Sequence, residues 1–196
     1  QTCYLRLEDY ESMTPILDAY LRRVCAEFER TPHVPTSPAV IRAYGAFKAA
    51  LLRQYRDIPY RVVYVDVDPY TDSADMLRKV PFNGILAVYT GGTLETDHPL
   101  ADTTGCVRGF NNGGVLQDNR ILSVTFNSVF RAVHDGLVHI PYRLSFSVTD
   151  EVRAFQRHAR MFHAYEPGGR IYFDVVRALA TETLAHTAYW HVHHTY

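Results

Sequence analysis

The chain has 196 residues, 47% of them hydrophobic and 21% charged, with a formal net charge of −1 when histidine is neutral. This composition is typical of one globular domain over residues 1–196 and excludes a mainly disordered chain. Lysine and arginine do not cluster, which argues against nucleic-acid binding. No apolar run approaches the ~20 residues of a transmembrane helix. The three cysteines lack metal-site spacing and fit a reducing compartment, so we predict a cytoplasmic protein.

Two amphipathic helices are predicted in the first third of the chain. Apolar residues recur at helical spacing over residues 15–30 and again over 38–55. Thr14 precedes a proline and is predicted to cap the first helix, and Ser37 is predicted to cap the second in the same way.

A small sheet is predicted next. β-branched and aromatic residues indicate strands near 61–67 and 85–90, with a short helix beginning at Asp72 or Ser73 between them. The glycine-rich stretch 91–119 is predicted to be a long loop. Long loops in compact domains are often functional, so we expect it to form the wall and lid of a pocket.

The C-terminal half is predicted to be helical. Periodicity indicates helices over 123–138, 149–162 and 171–191, the first closed by Pro141 and the second capped by Thr149. The predicted fold is therefore α+β: a single helix-dominated domain with a small β-sheet and a helical C-terminal half.

His134, Asp135 and His139 form the first candidate site. Imidazole nitrogens bind iron, zinc, copper and nickel, and two histidines with a carboxylate make the facial triad of non-haem iron oxygenases. Residues five apart point about 140° away from each other on an α-helix, so the two rings converge only if the helix ends between them. Gly136 and Pro141 allow such an ending. The alternative is a capped helix end in which Asp135 pairs with His139 on the surface.

Two later helices each place a carboxylate and a histidine on an apolar stripe. Glu151 and His158 share one stripe with phenylalanines, and Glu182 and His186 are neighbours on another. Each pair is either a compensated ionic group or part of a site that faces a pocket. A buried charge without a partner is costly, so the carboxylates need compensation.

Several of these motifs resemble an uncharacterised protein family of tailed bacteriophages and related mobile elements. The most specific match is Phe-Arg-Ala-Val-His-Asp at 130–135, followed by His139. The other matches are Thr-Pro-His-x-Pro-x-x-Pro at 31–38 with Tyr44, Asp-Pro-Tyr at 68–70, Glu151 with His158, and Thr-Glu-Thr at 181–183. The resemblance implies a protein of the host cytoplasm or the virion.

The same His-Asp-x-x-x-His run is similar to the His-Glu-x-x-Gly-His segment of pterin-dependent aromatic amino-acid hydroxylases. This similarity implies that His134 and His139 bind iron and that a glutamate on a later helix is the third ligand. Glu182 and Glu151 are the two candidates. Glu182 is preferred because it lies mid-helix among apolar residues, whereas a carboxylate near a helix N-terminus, such as Glu151, is favoured without any metal.

The sequence thus predicts a metal-dependent enzyme, preferably of non-haem iron, that performs oxidative chemistry on a small or nucleotide-sized substrate. Asp135 and His158 are the predicted catalytic residues, and Asp135 is expected to orient a ligand imidazole by accepting its free N–H. Two alternatives remain open. A zinc-dependent hydrolase would use the same residues, and a phage interaction protein without enzymatic activity would use them as structural polar groups.

Overall fold

Helices dominate the fold in the computed structural model, which describes residues 8–65, 67–90, 97–102, 124–165 and 170–194. Two short strands form the sheet, and two π-helical turns, Asp135–His139 and Thr181–Ala185, interrupt long helices. This confirms the predicted α+β fold. None of the described helices offers an apolar stretch of the length that a bilayer requires. The helices are α1 Glu8–Arg30, α2 Pro38–Tyr55, α3 Ser73–Asn83, α4 Phe126–His134, α5 Ile140–Tyr142, α6 Val148–Tyr165, α7 Arg170–Ala180 and α8 His186–His193.

The starts of the helices follow the predicted caps only in part. The hydroxyl of Ser37 accepts the N–H of Val40 at the start of α2, as predicted. Thr14 does not cap α1, because that helix begins at Glu8 and contains Pro15 in its interior. Thr149 is likewise not a cap, since α6 begins one residue earlier and Ser147 Oγ accepts the N–H of Asp150.

The sheet consists of β1 Arg61–Val65 and β2 Ile85–Tyr89, which run parallel with Arg61 opposite Ile85. Parallel neighbours need a crossover connection, and α3 provides it. Alternate side chains of both strands are buried, so one face of the sheet lies on the core. Because β1 ends at Val65, it is shorter than the predicted strand 61–67.

Phe47, which is fully buried, lies where the helices meet. Its helix α2 packs against α7 and α4. The Phe47 ring contacts Phe130 of α4 and Phe162 of α6, with centroid separations of 5.7 and 5.8 Å. Helix α1 packs separately against α8. The aromatic cluster therefore fixes α4 and α6, the two helices that carry most of the candidate site, on one common support.

Gly136 lets the turn after α4 lie close to the sheet. A Cβ atom at this position would lie 3.0 Å from Ile58 Cγ2 and 3.1 Å from Leu86 Cδ2, closer than most packing contacts, so both side chains would have to shift. We therefore expect Gly136→Ala to lower the free energy of unfolding by about 1–3 kcal/mol through overpacking. Urea unfolding of the metal-free protein measures the change. Gly45→Ala, where no atom lies within 4 Å of the added Cβ, is the control, and equal losses in both variants would contradict this explanation.

Candidate metal centre

A π-helical turn brings His134 and His139 together. The N–H of Ile140 bonds to the carbonyl of Asp135, five residues back, and this wider turn carries residues five apart over one another. The two imidazole centroids lie 4.7 Å apart. The expectation that the helix must end between the histidines is therefore wrong. The helical backbone continues through Pro141 and ends with Arg143 as its C-cap, where a φ of 53° turns the chain into the left-handed conformation.

Glu151 completes a group of three possible metal ligands. Its Oε2 lies 3.6 Å from His134 Nε2, and its Oε1 lies 3.5 Å from His139 Nε2. All three ligand atoms lie within 4.8 Å of one another. Glu151 sits in the first turn of α6, and the loop 143–147 folds that turn back over the π-turn. The group could bind a metal ion: two imidazoles and one carboxylate suit several first-row metals.

Nδ1 of His139 is occupied, which leaves Nε2 as its ligand atom. It lies 3.1 Å from the carbonyl oxygen of Leu144 and donates its hydrogen there, because a carbonyl can only accept. The His139 ring is 1% exposed, so this bond is shielded from water. Metal-binding histidines usually hold their second nitrogen in this way, and the bond fixes the orientation of the ring.

His134 is held by a chain of two further side chains. Gln54 Oε1 accepts from His158 Nε2 at 3.0 Å, so His158 Nδ1 carries the lone pair and accepts from His134 Nδ1 at 3.2 Å. Because Nδ1 of His134 carries the hydrogen, its Nε2 atom carries the lone pair that could bind a metal. It is buried and has no hydrogen-bond partner among the described residues. A buried polar atom left in this state, beside a carboxylate and a second imidazole, indicates a missing ligand.

His158 therefore orients His134, and its predicted catalytic role stays a prediction. It is fully buried between the rings of Phe130 and Phe162. Burial, together with His134 and His139, keeps the pKa of His158 well below its usual value, so its ring is neutral. The sequence analysis did not identify Gln54. The available signal was an amide seven residues after Phe47, on the inward face of α2.

We expect His158→Leu to weaken metal binding about 10- to 100-fold, the effect usual for the loss of a group that orients a ligand. The leucine keeps the site apolar but cannot accept the N–H of His134. Equilibrium dialysis with Zn²⁺ measures the affinity. His163→Leu, at an exposed position on the same helix, is the matched control. Unchanged affinity in His158→Leu would show that the hydrogen bond from His134 to His158 does not affect metal binding.

Glu151 and the neighbouring imidazoles influence ionisation in the metal-free protein. Burial alone would raise the pKa of Glu151, but the adjacent His134 and His139 outweigh it and lower this pKa to about 2. Burial likewise works to lower the pKa of His139, but Glu151 and Asp135 outweigh it and raise this pKa above 6.5. The raised pKa of His139 and the lowered pKa of Glu151 have the same cause, because each charged form favours the other.

Metal affinity should fall as the pH is lowered. A metal binds the neutral imidazole and must displace the proton of His139. Because the pKa of this histidine is raised, the proton competes already above pH 6.5, where a free histidine would be mostly neutral. Zn²⁺ titrations of the metal-free protein between pH 6 and 8.5 should show affinity that increases with pH beyond 6.5. A plateau already reached at pH 6 would contradict the prediction.

Asp135 has a different place from the one predicted. The imidazole N–H groups that it was expected to accept are bound to His158 and to the Leu144 carbonyl. That prediction is therefore wrong, because the π-turn points the Nδ1 atoms toward those groups. Burial raises the pKa of Asp135 despite the opposing charges of His139 and His134. Its side chain lines the neighbouring cleft.

Glu182 does not belong to the three-residue group, contrary to the preference stated above. It lies in the second π-turn, where it accepts a hydrogen bond from the Tyr44 hydroxyl, and His98 Nε2 is 3.4 Å from its Oε1. The predicted need for compensation is met by these two groups and not by a metal ion shared with the histidines. The negative charge of Glu182 and burial raise the pKa of Tyr44.

Both carboxylate sites border one cleft of about 810 Å³. His134 and Glu151 lie in its wall, as do Glu182 and His186, and aromatic side chains including Tyr70 and Trp190 line the remainder. This volume is within the usual range for small-molecule sites. The predicted lid, 91–119, lies largely outside the described residues, and only 97–102 are described, with a 3₁₀ turn at Pro99–Ala101.

No protein-family model matches this chain, and no curated protein or solved structure is significantly similar to it. The resemblances to the bacteriophage family and to the aromatic amino-acid hydroxylases therefore stay predictions.

Proposed function

We propose that the protein is a metal-dependent enzyme whose ion is bound by His134, His139 and Glu151 and whose substrate is a small molecule held in the adjoining cleft. The observation that supports this most is the free Nε2 of buried His134, which faces Glu151 and His139 at the cleft wall. The hydrogen bonds to His158 and Leu144 hold both rings ready to bind, so little reorganisation is needed when the ion arrives.

Iron(II) is the preferred ion, and oxidative chemistry is the preferred reaction. Two histidines and one carboxylate are the protein ligands of non-haem iron(II) oxygenases, and an iron ion held by these three residues would supply the activation of dioxygen beside a bound substrate. The protein's own residues would then position the substrate: Tyr70 and Trp190 offer ring surfaces in the cleft, and Glu182 offers a carboxylate on its wall. The buried rings behind the histidines exclude water from that side.

A zinc-dependent hydrolase is the second candidate, and the separations of the donor atoms allow it. The glutamate oxygens lie 3.5 and 3.6 Å from the two nitrogens, and zinc would bind such oxygen and nitrogen atoms at about 2.0–2.2 Å. A zinc ion with three protein ligands keeps its fourth position for water and lowers the pKa of that water toward 7.

Metal loading separates these functions. The protein is purified under anaerobic conditions, its metal content is measured, and the metal-free form is reloaded with Fe²⁺ or Zn²⁺. We expect one equivalent to bind that Glu151→Gln no longer binds, and we expect only the Fe²⁺ form to consume dioxygen when small-molecule pools are added. Hydrolysis of ester or phosphoester probes by the Zn²⁺ form alone would support the second candidate. Failure of both ions to bind near stoichiometry would contradict the proposal and leave an interaction protein.

A further inference from the structure

A second group of possible metal ligands lies where the first and last helices meet. Cys25 and Glu29 are one turn apart on α1, and His193 is the final residue of α8. Nε2 of His193 lies 3.7 Å from Cys25 Sγ and 2.8 Å from Glu29 Oε1. All three ligand atoms fall within 4.8 Å of one another. None of these residues lines the cleft described above.

The spacing of the sulfur and the nitrogen fits a tetrahedral ion. Zinc binds thiolate sulfur at about 2.3 Å and imidazole nitrogen at about 2.0–2.1 Å, which places the two atoms about 3.5 Å apart at a tetrahedral angle. The observed 3.7 Å needs only a small adjustment. The shorter contact between Glu29 and His193 is the hydrogen bond of a metal-free pair, and it would open slightly as both atoms bind the ion.

Nε2 of His193 faces both Cys25 and Glu29, although its single N–H can donate a hydrogen bond to only one of them. The His193 ring lies against Tyr189 with a centroid separation of 4.5 Å. Cys25 is 2% exposed and otherwise lies among Leu21, Leu184 and Ala188. A thiol, a carboxylate and an imidazole that converge on one point at the edge of an apolar cluster form a donor set that zinc binds.

We propose that Cys25, Glu29 and His193 bind a zinc-class divalent cation that fastens the end of α8 to α1. Binding releases the thiol proton of Cys25 to solvent and involves no redox change, since zinc remains divalent. Glu29 and His193 are partly exposed, so a water molecule can complete the tetrahedron. The thiolate makes this a softer site than the one at His134, and it should favour zinc or cobalt over iron.

Cobalt(II) tests the proposal, because a cobalt–thiolate bond gives an intense near-ultraviolet charge-transfer band that a site of two histidines and a glutamate cannot give. The full chain is titrated anaerobically with Co²⁺ in the presence of a phosphine reductant. The titration is repeated on Glu151→Gln, which removes a ligand of the first site only, so the two proposals fail independently. We expect the band to saturate at one equivalent in Glu151→Gln, and between one and two equivalents in the parent protein, where the first site also takes up Co²⁺.

The variants then assign the ligands. Cys25→Ser should abolish the band, and His193→Ala should weaken Co²⁺ binding at least about tenfold, since loss of a ligand exceeds the loss of a group that only orients one. His194→Ala, the exposed neighbour outside the group, should leave the band unchanged. His193 is itself partly exposed, so its removal should not unfold the protein. A missing band in the parent protein, or a band that persists in Cys25→Ser, would overturn the proposal.

Discussion

Glu151→Gln is expected to weaken metal binding about 100-fold or more, whereas Glu182→Gln is expected to leave it within a few-fold of the parent protein. Glu151 approaches both His134 Nε2 and His139 Nε2, and it is the negatively charged member of this group of possible ligands. A neutral amide of the same shape removes this charge. Loss of a ligand should exceed the 10- to 100-fold effect of losing an orienting group. Equilibrium dialysis with Fe²⁺ and Zn²⁺ provides the measurement, and the Cys25→Ser background removes the contribution of the site between the first and last helices.

The same chemical change at Glu182 serves as the matched control. Its carboxylate is bound by Tyr44 and lies beside His98, away from the three-residue group. An amide oxygen can still accept the hydrogen bond of the tyrosine. If Glu182→Gln lost the metal and Glu151→Gln kept it, the sequence-based preference for Glu182 would be restored and the proposed ligand set would be wrong.

Phe47→Ala is expected to lower the free energy of unfolding by about 3–5 kcal/mol, the usual cost of removing a buried phenylalanine from a core. Phe47 is fully buried, and its ring contacts Phe130 and Phe162. Those two rings enclose His158, so the cavity should also loosen the support of the metal centre. Urea unfolding of the metal-free protein measures the first effect, and Zn²⁺ affinity of the folded variant measures the second.

Phe82→Ala controls for the chemical change. Phe82 is 92% exposed on α3, so its removal should alter stability by no more than about 0.5 kcal/mol. Comparable losses at both positions would mean that burial does not explain the stability of this core. A loss of stability in Phe47→Ala with unchanged Zn²⁺ affinity would show that the aromatic cluster does not support His158.

Much of the fold could be predicted from local sequence patterns. The helix at 38–55 follows from apolar periodicity, and the strand near 85–90 follows from its β-branched and aromatic residues. The cap at Ser37 follows from its place before Pro38. Such features depend on contacts between residues close in sequence. The caps at Thr14 and Thr149 failed because helix starts depend on small energies that neighbouring turns override.

The residues of the candidate centre were also identifiable from their types. His134, His139 and Glu151 were all named from the sequence, since imidazole and carboxylate groups on otherwise apolar helix faces need an explanation. The sequence could not show whether Glu151 or Glu182 lies beside the two histidines. That depends on which helix faces the histidines, and both glutamates satisfied the same local pattern.

The helix-dominated fold class and the types of the candidate ligands could be read from the residues alone, because periodicity and side-chain chemistry are local properties. How the candidate ligands come together could be seen only in the folded chain. Gly136 in the π-turn leaves no room for a side chain beside Leu86, and the tautomer of His134 follows from Gln54, far away in sequence. Such contacts join distant segments, and their geometry arises only when the helices pack together.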